Sequence, residues 1–232
     1  MRLTLRILSA LLRYPDEAVQ QVAPELDAAL AEDGLLTPVQ RTALDPLVRE
    51  LSGDDLLDLQ ERYVALFDRG RAHSLHLFEH VHGESRDRGQ AMVDLRDRYE
   101  AQGLEIAANE LPDYLPLYLE YLSVLAPDQA AGQLAQTGVI LAALAGRLAE
   151  RETAYAGPMK VLAELAGTEG ERFDIAPPDD PDDLAALDAA WEEEQVRFDG
   201  PAAPDAAAPC PQASAMLARM HRPDPAPHAG SH

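Results

Sequence analysis

Cysteine occurs once in the 232 residues, at Cys210. A single thiol supports neither a disulfide framework nor a cysteine-only zinc site, so a reducing, cytoplasmic setting is the expected home. Aromatic residues are only 5% of the chain, and no stretch alternates apolar and polar residues as a half-buried strand would. Alanine and leucine dominate instead, which favours helix. Long apolar runs are missing too: Leu3 to Leu12 is interrupted by Arg6 and followed by Tyr14-Pro15-Asp16, where a signal peptide would need small residues for cleavage. The uncharged stretch Gln129 to Gly146 holds three glutamines, a threonine and three glycines, so it reads as a buried helix and not a membrane span. There is no Gly-rich phosphate loop, Rossmann fingerprint or Gly-x-Ser-x-Gly elbow. Ser74 and Ser85 lie near histidines without such an elbow, which leaves covalent catalysis without a nucleophile. No solenoid-length repeat is visible.

Positive charge is also scarce, with 19 lysines and arginines against 41 aspartates and glutamates and a net charge of −22. Such a chain repels phosphate backbones and anionic lipid, which argues against nucleic-acid partners and against membrane insertion or attachment. It attracts a basic segment of another protein, although an acidic surface also serves simple solubility.

What is present is a succession of helical patterns. Leu3 to Arg13 carries Leu5, Leu8, Leu11 and Leu12 on one face and stops at Pro15. Asp16 to Glu32 reads as one helical stretch, and Pro38 to Leu51 as another, with Thr37 as cap. Asp54 or Asp55 starts a fourth, with Leu56, Leu59, Tyr63, Leu66 and Phe67 on one side. Arg86 to Gln102 ends at Gly103, and a long Ala/Leu-rich helix runs from Pro127 to about Thr153, broken by Gly157-Pro158. Pro177 to Val196 contains eight acids, no lysine or arginine, and the sole tryptophan, Trp191. Leu184, Leu187, Trp191 and Phe198 give that run an apolar stripe able to dock on the body or a partner.

The stretch from Glu79 to Glu120 is the most punctuated. Gly83 permits a left-handed turn that ends an incoming helix, and Ser85 suits the N-cap of the next. Arg86 and Arg88 can clamp a carboxylate, with Glu79, Asp87 and Asp113 as candidates. Asp113 can cap a helix whose first turn contains Pro116, and Leu111, Leu115, Tyr118, Leu122 and Leu125 form one stripe. Such pairs serve equally as internal locks or as ligand contacts, and Tyr114, Tyr118 and Tyr121 suit a core and its rim. His73, His76, Glu79, His80 and His82 suggest a metal site, and Glu79 to His82 has the Glu-x-x-His spacing of di-iron bundles. A second such pair is missing, and Gly83 breaks the helix where ligands would converge. A His/Glu metal enzyme is therefore a minor alternative, beside that of an acidic adaptor unrelated to metalloenzymes.

The runs SLHLFEHVHGESRDRGQAMVDL from Ser74 and ELPDYLPLYLEYL from Glu110 closely resemble the NarJ-type family, the delta subunits of respiratory nitrate reductase. The likeness extends to YVALFDRGRAHSL at Tyr63 to Leu75 and LDAAWEEEQVRF at Leu187 to Phe198. The resemblance implies an all-α, single-domain multi-helix bundle of the TorD/NarJ-like chaperone kind. Residues 1–199 would form the chaperone domain, with 168–199 as an acidic, Trp-containing segment docked on it, and 200–232 a disordered Pro/Ala-rich tail. It implies a non-enzymatic, cytoplasmic chaperone with no catalytic residue, metal ligand or stably bound cofactor. Its partner would be the immature nitrate reductase alpha subunit in the apo alpha-beta complex, held through its N-terminal segment until molybdenum cofactor is inserted; a homodimer is left open. Motif residues carried over by identity are Asp68, Glu79, His80, Gly83, Arg86, Arg88, Gly89, Met92, Glu110, Leu111, Pro112, Asp113, Leu115, Pro116 and Glu120. With Tyr118 they are the candidate partner-binding or groove-shaping set.

Overall fold

Leucines spaced three and four apart turn the first segment into helix α1 (Arg2–Leu12), in which Leu5, Leu8, Leu11 and Leu12 are all buried. The computed structural model describes residues 1–69, 71–80, 86–106 and 110–168, with only the backbone of Arg86 and Asp87. The expectations for Gly83, Ser85, the 168–199 segment beyond Thr168 and the 200–232 tail lie outside the described residues.

Asp16 caps α2 (Glu17–Val22) by accepting the amide of Val19 at 2.8 Å. The single helix expected from Asp16 to Glu32 is instead two, because Pro24 has no amide to donate: a 3₁₀ turn, Ala23–Glu25, separates α2 from α3 (Leu26–Asp33). Gly34, at φ 67°, closes α3 in the left-handed conformation. Helix α4 (Pro38–Gly53) opens with the expected Thr37 cap, completed by Gln40 into a reciprocal capping box. Pro46 is tolerated inside α4 because it and Thr42, whose carbonyl it leaves unpaired, both face solvent. Asp55 caps α5 (Leu56–Phe67) through the amide of Leu57, and Leu59, Tyr63 and Phe67 turn inward.

Short 3₁₀ turns at Arg71–His73 and Leu77–His80 precede α6 (Arg86–Ala101), which ends two residues before the left-handed Gly103. Helices α7 (Leu115–Val124), α8 (Pro127–Glu150) and α9 (Ala156–Leu165) complete the described chain. The long helix α8 stops before the expected Thr153, through a turn in which Glu152 adopts φ 52°. Gly157-Pro158 is not the break; it lies in the first turns of α9, where a missing amide is harmless.

Helix α1 packs on α7, and α8 on α9, around a leucine core that includes Leu115, Leu119, Leu122, Leu134, Leu141, Leu144 and Leu148. Helix α9 also crosses α4 so closely that a Cβ on Gly157 would stand 2.0 Å from the Ala43 carbonyl oxygen. Only glycine fits there. Among the described residues there is no β-strand, only the isolated antiparallel bridge between His76 and Tyr114, and the described chain falls within one unit, Met1–Asp188. No described helix is long and apolar enough to cross a membrane.

Candidate partner-binding site

The bridge between His76 and Tyr114 joins the two halves of the punctuated stretch. Leu115 donates its amide to Leu75 O at 2.8 Å and Leu77 to Asp113 O at 3.0 Å, so the segment before α7 lies against the segment before the Leu77–His80 turn. Asp113 was expected to cap its own helix. It caps the other segment instead, for its Oδ2 accepts the Phe78 amide at 3.1 Å and its Oδ1 faces His76 Nδ1, also at 3.1 Å. The carboxylate is 0% exposed, so both bonds are made without competition from water. Tyr114 occupies the N-cap position of α7 with no side-chain cap.

The histidines point to separate partners. His80 is buried and its Nε2 donates to Ser74 O at 2.8 Å, while burial holds its pKa below the ordinary imidazole value. His73 is buried as well and its pKa is lowered, first by burial and then by the charges of Arg151 and Arg147. His76 keeps its side chain 31% exposed, donating inward to Asp113 and lying 5.5 Å from the Tyr114 ring. Among the described residues no three His, Cys, Asp or Glu side chains are grouped to hold a metal.

Tyrosines extend this polar framework into the helices. The Tyr63 hydroxyl donates to Leu12 O at 3.0 Å and meets the Tyr114 hydroxyl at 2.9 Å, which ties α1, α5 and the start of α7 together. Burial raises the Tyr114 pKa; the hydrogen bond with Tyr63 and the charge of Arg13 oppose that shift, whereas Glu110 and Asp68 add to it. Tyr99 of α6 donates to Pro112 O at 2.7 Å and its ring lies 4.7 Å from that of Tyr121. Tyr118 donates to Gln133 O, and burial pushes its pKa up to about 12.

The candidate residues thus divide into two groups. His80, Asp113, Leu115, Pro116 and Tyr118 are buried and hold the framework, Pro116 by accepting Ser9 Oγ at 2.8 Å. Pro112 does so through its carbonyl. Asp68, Glu110, Leu111 and Glu120 reach the surface, as does Gly89, where an added Cβ would meet nothing within 4 Å. Leu111 is 46% exposed, outside α7, so it leaves the stripe expected to begin with it. Met92 is half-buried. Arg88 reaches Glu79 at 3.3 Å, one of the pairings expected, and Glu120 meets Arg13 at 3.2 Å. Gly83 and the Arg86 side chain lie outside the described residues. Sequence reasoning did not foresee the hydrogen bonds that bring His76, Tyr63 and Arg13 to this site. Their partners are 37, 51 and 107 positions away, and no local pattern carries that information.

Two hollows open elsewhere on the described surface. One is lined by Asp54, Asp55, Asp58, Glu61, Arg62 and Ala65, the other by residues of α1, α7 and the start of α8, including Leu5 and Leu122. Neither is lined by a residue of the candidate set.

Residues 13–160 match the family described as nitrate reductase delta subunit. The chain is 50% identical over 196 residues, 83% of each chain, to the nitrate reductase molybdenum cofactor assembly chaperone NarJ of Escherichia coli K12. The same figures hold for NarJ of Escherichia coli O157:H7. Among solved structures, a candidate redox enzyme maturation protein from Archaeoglobus fulgidus superposes with a TM-score of 0.52 at 22% identity, covering 72% of this chain and 94% of that one. That likeness establishes the fold.

Proposed function

The chain belongs to the nitrate reductase delta subunit family, and from that premise we propose that it is a cytoplasmic chaperone for the immature alpha subunit of a nitrate reductase. It binds the N-terminal segment of that subunit and keeps the apo alpha-beta complex open until molybdenum cofactor has been inserted. It then leaves before the complex docks on its membrane anchor. The cofactor belongs to the client, and this chain's part is to grip a polypeptide.

The observation that carries the reading is the pairing of a rigid interior with a polar rim at one place. Asp113 and the tyrosine hydroxyls fix the backbone around the bridge, while Asp68, Glu110, Leu111 and the outer edge of His76 remain within reach of a partner. Acids beside an exposed leucine suit a segment that presents a basic residue next to an apolar one. The acids speed encounter and select the sign of charge, and the apolar contact supplies hold. The chain's net charge of −22 acts in the same direction.

Titration calorimetry with a peptide of the alpha-subunit N-terminus tests this. Binding is expected at low salt, weaker at high salt, and weaker again in Asp68→Asn/Glu110→Gln. Absence of binding at both salt concentrations would refute client capture through that segment, and affinity indifferent to salt and to both substitutions would refute the acidic rim.

A further inference from the structure

Among the described tyrosines and phenylalanines, Tyr14 alone is exposed, at 46%. The backbone on either side of it is fixed. Leu12 O accepts the Tyr63 hydroxyl at 3.0 Å, and the carbonyl of the buried Pro15 accepts Gln60 Nε2 at 2.9 Å, so α5 holds the chain both before and after Tyr14. The ring itself stands edge-on to that of Tyr63, with centroids 5.6 Å apart at an angle of 90°. A large side chain with only two torsions, carried on a fixed backbone, loses little freedom when a partner covers it. Binding anchors are built this way.

Tyr14 is also continuous with the polar surface around the bridge. Its neighbour Tyr63 meets the Tyr114 hydroxyl at 2.9 Å, and the Tyr114 amide donates to Leu111 O at 3.1 Å. The row therefore runs from one exposed apolar side chain, Tyr14, to another, Leu111. After burial, Glu110 and Asp68 raise the Tyr114 pKa further, so both acids act on the middle of the row. Resting on the client-capture reading above, we propose that Tyr14 is a specificity-determining contact: its ring covers one apolar side chain of the client segment and Leu111 a second, while Asp68 and Glu110 take a basic residue of the same segment. The ring receives an apolar group and not the cation because Arg13 stands beside it, its charge offset only by Glu120 at 3.2 Å in an exposed pair. A segment with the basic residue but a single apolar side chain is then held less tightly.

Titration calorimetry with the alpha-subunit N-terminal peptide separates this inference from the reading it rests on. Tyr14→Ala and Tyr14→Gln are each expected to weaken binding about tenfold, with circular dichroism unchanged, and Tyr14→Phe, which keeps the ring, should restore it. Because the lost contact is apolar, the salt dependence of binding should persist in Tyr14→Ala, whereas Asp68→Asn/Glu110→Gln flattens it. Replacing the peptide's apolar residues by alanine one at a time should find one whose loss costs wild-type protein about tenfold and costs Tyr14→Ala almost nothing. Peptide binding by wild-type protein that Tyr14→Ala and Tyr14→Gln leave intact, or a loss that Tyr14→Phe shares, would overturn the assignment of Tyr14 alone. No binding by wild-type protein at either salt concentration would overturn client capture and this contact together.

Discussion

In α1, α7, α8 and α9 the fully buried side chains are mostly leucines, with Thr4 and Ser9 of α1 the polar exceptions, whereas between Arg71 and Asp113 the buried side chains include His73, Ser74, His80 and Asp113. The first region is held by apolar area, which is non-directional and tolerant of small shifts. The second is held by individual hydrogen bonds, each with one donor and one acceptor, such as Phe78 N to Asp113 Oδ2 and His80 Nε2 to Ser74 O. The difference teaches where each kind of change is felt. Packing faults in the leucine core lower the stability of the whole body, while loss of one polar atom beside the bridge loosens the surface locally.

The largest effect is expected where backbones meet. Gly157→Ala would drive a Cβ against Ala43 O in the α4–α9 crossing, and denaturant unfolding should show a loss of about 3 kcal/mol. Near-native stability there would mean that the helices can separate, and the contrast between a rigid core and a locally sensitive surface would weaken. Asp113→Ala comes next. It orphans the Phe78 amide and frees His76, at about 2 kcal/mol. Its loss should appear first as faster exchange at 75–80 and as lost peptide binding, with α8 and α9 unaffected until global unfolding. Uniform loosening instead would merge the two regions.

A smaller effect is expected in mild acid. Burial depresses the pKa of His73 and His80 below the ordinary 6.5. As pH falls through 6.5 the unfolded chain takes up protons that these folded histidines refuse, so stability declines until their folded values are passed. Asp33, whose pKa is lowered first by the Thr4 hydroxyl, adds its own loss only in the carboxylate range. The fall in stability between pH 7.5 and 5.5 should flatten in His73→Gln/His80→Gln; an unchanged slope would place the titrating groups elsewhere.

The same contrast decides what could be read before folding. The spacing of Leu5, Leu8, Leu11 and Leu12 and the Thr37 cap depend on neighbours within a few residues, and both stand where expected. The break at Pro24 was open to the same local logic, since a proline without an amide explains it. Asp113 was legible as a cap but not as a cap for a segment 35 residues earlier, because that choice depends on which backbone lies alongside. Tyr63 gave an inward helical position; its hydroxyl contacts with Leu12 and Tyr114 needed three elements in place. At the site, the motif residues were found by resemblance to a family. Their division into buried framework and exposed rim is a matter of tertiary placement.

Hydrogen exchange of this protein with and without the alpha-subunit N-terminal peptide tests client capture at the polar surface most directly. The account predicts added protection at residues 74–80 and 110–116, with α8 and α9 unchanged. Protection confined to α8 and α9, or none anywhere when the peptide is saturating, would contradict it.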